Sequence, residues 1–130
     1  FHAWCEKTYG NADIGHITVT RGLKHDYLAM ILDYSLPGVL KVNMQYYIDN
    51  MIKDFPYKVE GTTTQPWTEK LLKIDKTAQK LNDEQKKVFH TFVMKAMFLC
   101  KRGRPDINPA IAFLSSRVKE PNTGDWNKLI

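Results

Sequence analysis

The alternation of apolar and polar positions divides the chain into a β-like first part and a helical last part. Ile17, Thr18, Val19 and Thr20 are all β-branched, which suits a pleated strand. Arg21 and Gly22 read as the start of a turn. Residues 26–34 form a second run, rich in Leu, Met, Ile and Tyr. That run is too evenly apolar to alternate, which predicts a strand covered on both faces. Ser35, Leu36, Pro37 and Gly38 then mark a turn, because proline fixes φ and glycine permits positive φ. Leu40, Val42 and Met44 fall on one side of the next stretch. Together these runs predict a β-hairpin preceded by another strand.

The period then changes. Met44, Tyr47, Ile48, Met51, Ile52 and Phe55 make one apolar stripe at helical spacing. Asn43 is the candidate N-cap, and Pro56 ends the helix. Residues 57–66, with Gly61, Pro66 and a run of threonines, read as an extended connector. Residues 67–81 are Lys-rich and ambiguous between partial helix and loop. Asn82, three positions before Gln85, opens a longer helix as a variant capping box. Val88, Phe89, Phe92, Val93, Ala96, Met97 and Cys100 recur at helical spacing along it. Lys101, Arg102 and Gly103 close it, with cations at the negative end of the dipole and glycine as C-cap. Pro105 introduces another helix, whose stripe is Ile107, Ala110, Ile111, Leu114 and Val118. Pro121 stops that helix, and Trp126 marks a final one.

The expected fold is therefore α+β, a β-hairpin or small antiparallel sheet followed by a helical subdomain of about three to four helices. The parts are residues 1–56, a connector over 57–81, and a helical segment over 82–130. No internal repeat is present.

Composition narrows the chemistry. With 130 residues, 43% hydrophobic and 25% charged, the chain can bury a core. Its 19 Lys and Arg against 14 Asp and Glu leave a net charge of +5, which suits a polyanionic partner and is also common among soluble domains. The two cysteines, Cys5 and Cys100, lack CxxC partners, and His2 with Cys5 is too few ligands for zinc. A reduced intracellular setting, cytoplasmic or nuclear, is the expectation. No apolar run approaches the roughly 20 residues of a membrane span, and no signal-peptide pattern is seen. His16, His25 and His90 have no nucleophile and acid arranged around them, and Ser115 and Ser116 lie mid-helix, so hydrolase chemistry is not indicated. No small-molecule substrate is implied. Trp67 and Trp126 read as packing anchors.

The cations fall into groups. Arg21 and Lys24 flank the first turn. Lys70, Lys73, Lys76 and Lys80 read as a solvated face. Lys101, Arg102 and Arg104 cluster after the longest helix, where phosphate contact and helix C-capping are both open readings. Asp106 is read as an ion-pair partner of Arg104 or a helix N-cap. Asp26 and Asp33 are not an adjacent pair and read as solubilising or turn residues.

Two stretches in order carry a resemblance. The first is Lys24-His25-Asp26-Tyr27-Leu28-Ala29-Met30, continued by Asp33-Tyr34-Ser35, by Pro37-Gly38 and by Tyr46-Tyr47-Ile48-Asp49. The second is Phe89-His90-Thr91 and then Phe98-Leu99-Cys100-Lys101-Arg102-Gly103-Arg104-Pro105-Asp106-Ile107, followed by Ala110, Ala112, Leu114 and Trp126. Together, from Trp4 onward, they resemble the copia-type retrotransposon reverse transcriptases. The resemblance implies a primer-grip hairpin at the base of the palm, a thumb, and the start of the connection toward ribonuclease H. It implies contact with an RNA–DNA or DNA primer–template through Arg21, Lys24, Tyr27, Leu28, Ala29, Met30, Lys101, Arg102 and Arg104. The remaining partners would be the fingers, catalytic palm and ribonuclease H of the same polymerase.

Two departures matter. The family usually has glycine where this chain has Ala29, and glycine within a strand often marks close backbone approach. The Tyr-x-Asp-Asp hairpin that holds magnesium in the complete polymerase is absent here, as is the other metal-binding aspartate. The chain starts at Phe1 and reads as an internal piece of a longer frame, with that hairpin expected upstream of Trp4. No catalytic residue, metal ligand or cofactor is therefore assigned to it, and alone it is expected to be inactive. The competing reading is a non-catalytic, degenerate or domesticated element whose helices bind DNA or protein.

Overall fold

The computed structural model describes residues 1–10, 15–58, 61, 65 and 68–130. Its elements run α1 (His2–Tyr9), β1 (Lys24–Tyr27), β2 (Met30–Leu36), β3 (Val39–Asn43), α2 (Gln45–Asp54), α3 (Asp83–Cys100), a 3-10 turn (Pro105–Ile107), α4 (Asn108–Arg117) and α5 (Thr123–Leu129). The fold is α+β: a three-stranded antiparallel sheet, order β1-β2-β3, precedes a cluster of helices.

The sheet corrects two expectations. Residues 26–34 are not one strand. The chain reverses at Leu28 and Ala29, whose φ values are +47° and +60°. Tyr27 then pairs with Met30, so the loop has two residues with positive φ at both, the signature of a type I′ hairpin. The run is evenly apolar because it contains a turn between two strands, and no residue of any strand is fully buried. Ile17, Thr18, Val19 and Thr20 belong to no strand. The second turn matches its expectation: Leu36 pairs with Val39 across Pro37 and Gly38, and Gly38 has φ +75°.

Helix α2 ends before Phe55 and Pro56. Met44 occupies its N-cap position without a side-chain bond, while Asn43 supplies the acceptor: its Oδ1 takes the Gln45 N–H at 2.8 Å. Helix α3 opens on the capping box foreseen in the sequence. Asn82 Oδ1 accepts the Gln85 N–H at 2.8 Å, and Gln85 Oε1 accepts the Asn82 N–H at 3.2 Å. Asn122 and Asp125 repeat the device at α5. Helix α1 was not anticipated; it buries no residue and so shows no apolar stripe. Residues 68–81 form turns and loop. Trp67 and most of the 57–66 connector lie outside the described residues.

The core sits among the helices. Phe89 and Val93 of α3 are 0% exposed and Leu114 of α4 is 1% exposed, with Leu81, Ala96, Ile111 and Trp126 completing the cluster. Burying a side chain such as Phe89 contributes about 2–3 kcal/mol. Phe55 reaches in from the end of α2, its ring edge-on to Phe92 at 4.8 Å and stacked on Trp126 at 6.2 Å. Leu81 N–H bonds to the Pro121 carbonyl and Thr123 N–H to that of Gln79, which fixes the segment before α3 against the α4–α5 corner. Under that corner Asp125, 1% exposed, accepts from Arg117 Nε and Asn122 N–H, each at 3.1 Å.

Candidate nucleic-acid interface

Two groups of candidate residues come to one end of the sheet. The strand register places the β1–β2 tip beside the exit of β3, because Ile31 lies opposite Asn43. Met44 follows immediately. A Cβ built on Gly103 would stand 3.0 Å from Met44 Sδ, so the Lys101–Arg104 corner after α3 lies against that same exit. Gly103 does not have the positive φ of a left-handed C-cap. Gly103 instead lets the corner pack closely on the Met44 side chain, which corrects its reading as a capping residue.

The register also sorts the sheet's two faces. His25, Leu32 and Val42 lie in line on one face, as do Lys24, Asp33 and Lys41 on the other. Alternation adds Tyr27, Met30 and Leu40 to the first face. Tyr34 joins it, with its ring edge-on to His25 at 6.1 Å. The first face is thus apolar and aromatic yet open, with Tyr27 57% exposed. On the second, Lys24 Nζ lies 3.5 Å from Asp33 Oδ2. The Ser35 hydroxyl and peptide N–H hold the Asp33 carboxyl below its ordinary range, and Lys24 adds to that. Asp33 is therefore a structural turn residue where β2 and β3 shift register.

The tip is strained. Each non-glycine residue in left-handed backbone costs about 1–2 kcal/mol. The opposing gain is the Tyr27–Met30 pairing. Tyr34 N–H donates to the Leu23 carbonyl at 2.7 Å, and antiparallel alternation places the next hydrogen-bonded pairs at His25–Leu32 and Tyr27–Met30. Such bonds contribute about 0.5–1.5 kcal/mol each. Among the described residues no backbone bond engages the N–H of Leu28 or Ala29. The left-handed backbone at Ala29 also gives a local reason for the glycine expected there.

The cations differ in their commitments. Arg104 donates to both oxygens of Asp106, at 2.9 and 2.7 Å, which lowers the Asp106 carboxyl and raises the guanidinium. Asp106 is thus the ion-pair partner, and no side-chain cap bond opens the 3-10 turn. Arg102 lies over the Phe98 ring, its Cζ 3.9 Å from the centroid, and Phe98 in turn packs at 5.2 Å from Tyr47. Among the described residues Lys101 and Arg21 have no ion pair. Lys24 begins β1 at the end away from the tip, about three residues or 10 Å along the strand from Tyr27, and Arg21 precedes the strand. The two groups read from the sequence, Arg21 with Lys24 and Lys101 with Arg102 and Arg104, thus differ in their distance from the tip.

The seam between α2 and α3 supports this arrangement. Tyr47 Oη donates to the Lys95 carbonyl at 3.0 Å, and Lys95 Nζ reaches Asp54 at 2.8 Å. Partial burial raises the Tyr47 phenol, keeping it a donor. Behind the seam a cavity of about 260 Å³ opens between α2, α3, α4 and α5, walled by Phe55, Phe92 and Ile111 among others. Its one charged neighbour, Lys128, donates Nζ to the Lys73 carbonyl at 2.5 Å. The cavity carries no acid–base pair.

Among the described residues no group of three or more His, Cys, Asp or Glu side chains converges as metal ligands. Asp33 is already bonded to the Ser35 N–H and paired with Lys24. No helix among the described residues is long and apolar enough to cross a membrane. The chain matches no protein-family model, and no match to it is found among curated proteins or solved structures.

Proposed function

We propose that the chain is a segment of a copia-type retrotransposon reverse transcriptase and that it positions primer–template nucleic acid for synthesis carried out by catalytic aspartates elsewhere in that polymerase. One observation carries the reading: the β1–β2 tip and the Lys101–Arg104 corner, which belong to the two resemblance-bearing stretches, lie at the same end of the sheet. The tip offers main-chain N–H groups and the corner offers cations. Phosphate contacts of both kinds fix register and orientation without reading sequence. Holding a primer terminus this way reduces the freedom of the reacting atoms, and such positioning supplies a large part of the rate in transfer reactions.

The open apolar face of the sheet fits a partner surface supplied by the rest of the polymerase. In the competing reading, α4 would serve as a recognition helix. Its outward residues are Asn108, Pro109, Ala112 and Ser116, a poor set for base edges.

Binding of the chain to an RNA–DNA hybrid tests the proposal. Alanine at Lys101 and Arg102 together should weaken binding about tenfold or more, with equal effect on unrelated sequences. Alanine at Arg21, which precedes β1 on the side away from the tip, should have a smaller effect. Equal losses from both ends would contradict the assignment. Extending the reading frame upstream should also reveal a Tyr-x-Asp-Asp hairpin; an unrelated domain there would overturn it.

A further inference from the structure

We propose that the β1–β2 tip is a two-state loop, in which the tight two-residue turn interconverts with a wider six-residue loop and a phosphate selects the tight form. What the tip touches rests on the function proposed above; the loop equilibrium belongs to the free chain.

The alternative loop follows from the register. Releasing the Tyr27–Met30 pair leaves His25–Leu32 as the last hydrogen-bonded pair, and residues 26–31 become a six-residue loop. A loop of that length has room for a type I turn, whose central residues have negative φ. Leu28 and Ala29 then leave the left-handed region that L side chains rarely adopt. The exchange gives up one terminal pair and relieves two strained residues, and these opposing costs are of the same size.

Nothing in the described chain clamps the tight form. Leu28 is 56% exposed and Tyr27 is open beside it. Neither residue supplies the local preference that glycine or asparagine brings to a type I′ turn. The tight form holds the two free N–H groups of Leu28 and Ala29 on a short rigid tip. An anion accepting from both as the tight turn holds them would favour that form, and a ligand shifts an equilibrium by its differential affinity for the two states.

Hydrogen exchange on the free chain tests this. Leu28→Asn combined with Ala29→Gly favours the tight turn, and should slow exchange of the Met30 amide by about tenfold or more. The Tyr34 amide, which donates to Leu23 farther down the same ladder, should change less than about twofold. Ala29→Val, a β-branched residue at positive φ, should speed Met30 exchange while leaving Tyr34 unaltered. Equal changes at Met30 and Tyr34, or no change at either, would overturn the two-state loop. The paired Asn and Gly substitutions should also tighten binding to an RNA–DNA hybrid by about two- to fivefold, since apparent affinity scales with the competent fraction. A chain that binds no hybrid at all would remove the proposed function, and the exchange ratio would still decide the loop.

Discussion

Gly103 lies so close to Met44 that a methyl group on it would sit 3.0 Å from the Met44 sulfur and 3.4 Å from Cγ. Met44 is where the chain leaves the sheet, and Gly103 is where it leaves α3. This contact therefore sets how the basic corner meets the hairpin. Gly103→Ala should cost under about 1 kcal/mol, because a methionine side chain yields easily. Gly103→Leu should cost about 1–3 kcal/mol through overpacking. It should also weaken hybrid binding more than its stability loss alone explains. Urea midpoints alongside anisotropy titrations check both.

Asp125 is the second joint. Its buried carboxylate serves Arg117 and the Asn122 N–H together. Asp125→Ala leaves a buried N–H and a partly buried guanidinium without that partner. We expect a loss of about 2–3 kcal/mol, read from the urea midpoint. Loss of less than about 0.5 kcal/mol would remove this cluster from the account of the α4–α5 corner.

Phe89 and Tyr27 separate stability from binding. Phe89→Ala should cost about 3–5 kcal/mol, the usual range for emptying a fully buried aromatic site. Tyr27→Ala should change stability by under about 1 kcal/mol, because more than half of that side chain is already in solvent. Its effect should appear in hybrid affinity. Thermal melts and binding titrations on the same two variants make the comparison.

Asp33 and Asp106 give a pH signature. Hydrogen bonds from Ser35 and from Arg104, respectively, lower their carboxyls in the folded state. Their contribution is therefore present above the unfolded carboxylate range, near pH 4, and is lost as pH falls through the folded values. The melting temperature should drop on acidification below about pH 4. The Asp33→Asn and Asp106→Asn double variant should drop less steeply over that window. Identical slopes would mean that these pairs do not affect acid stability.

Much of the helical half was legible in the sequence because its physics is local or periodic. Asn82 and Gln85 cap α3 by a rule of spacing, and Ala110, Ile111 and Leu114 line the buried side of α4 as their period implies. The hairpin was less legible. Its turn residues are Leu28 and Ala29, which carry no turn signature, so two strands and a tip read as one apolar run. Ile17, Thr18, Val19 and Thr20 have strand propensity but no pairing partner, and propensity alone does not make a strand. The cations of the candidate interface were visible as residue types. Their commitments were not, because the Phe98 platform under Arg102 and the meeting of Gly103 with Met44 depend on how the chain packs.

The central claim is a phosphate grip formed by the tip and the basic corner, and the salt dependence of hybrid binding tests it most directly. Measured by anisotropy across a salt series, the logarithm of affinity should fall linearly with the logarithm of salt, with a slope of about −2 to −4 for the few phosphates these groups reach. Alanine at Lys101 should reduce that slope by about 1, with no change in sequence preference. A flat response, or tight selection of one duplex DNA sequence, would contradict the account.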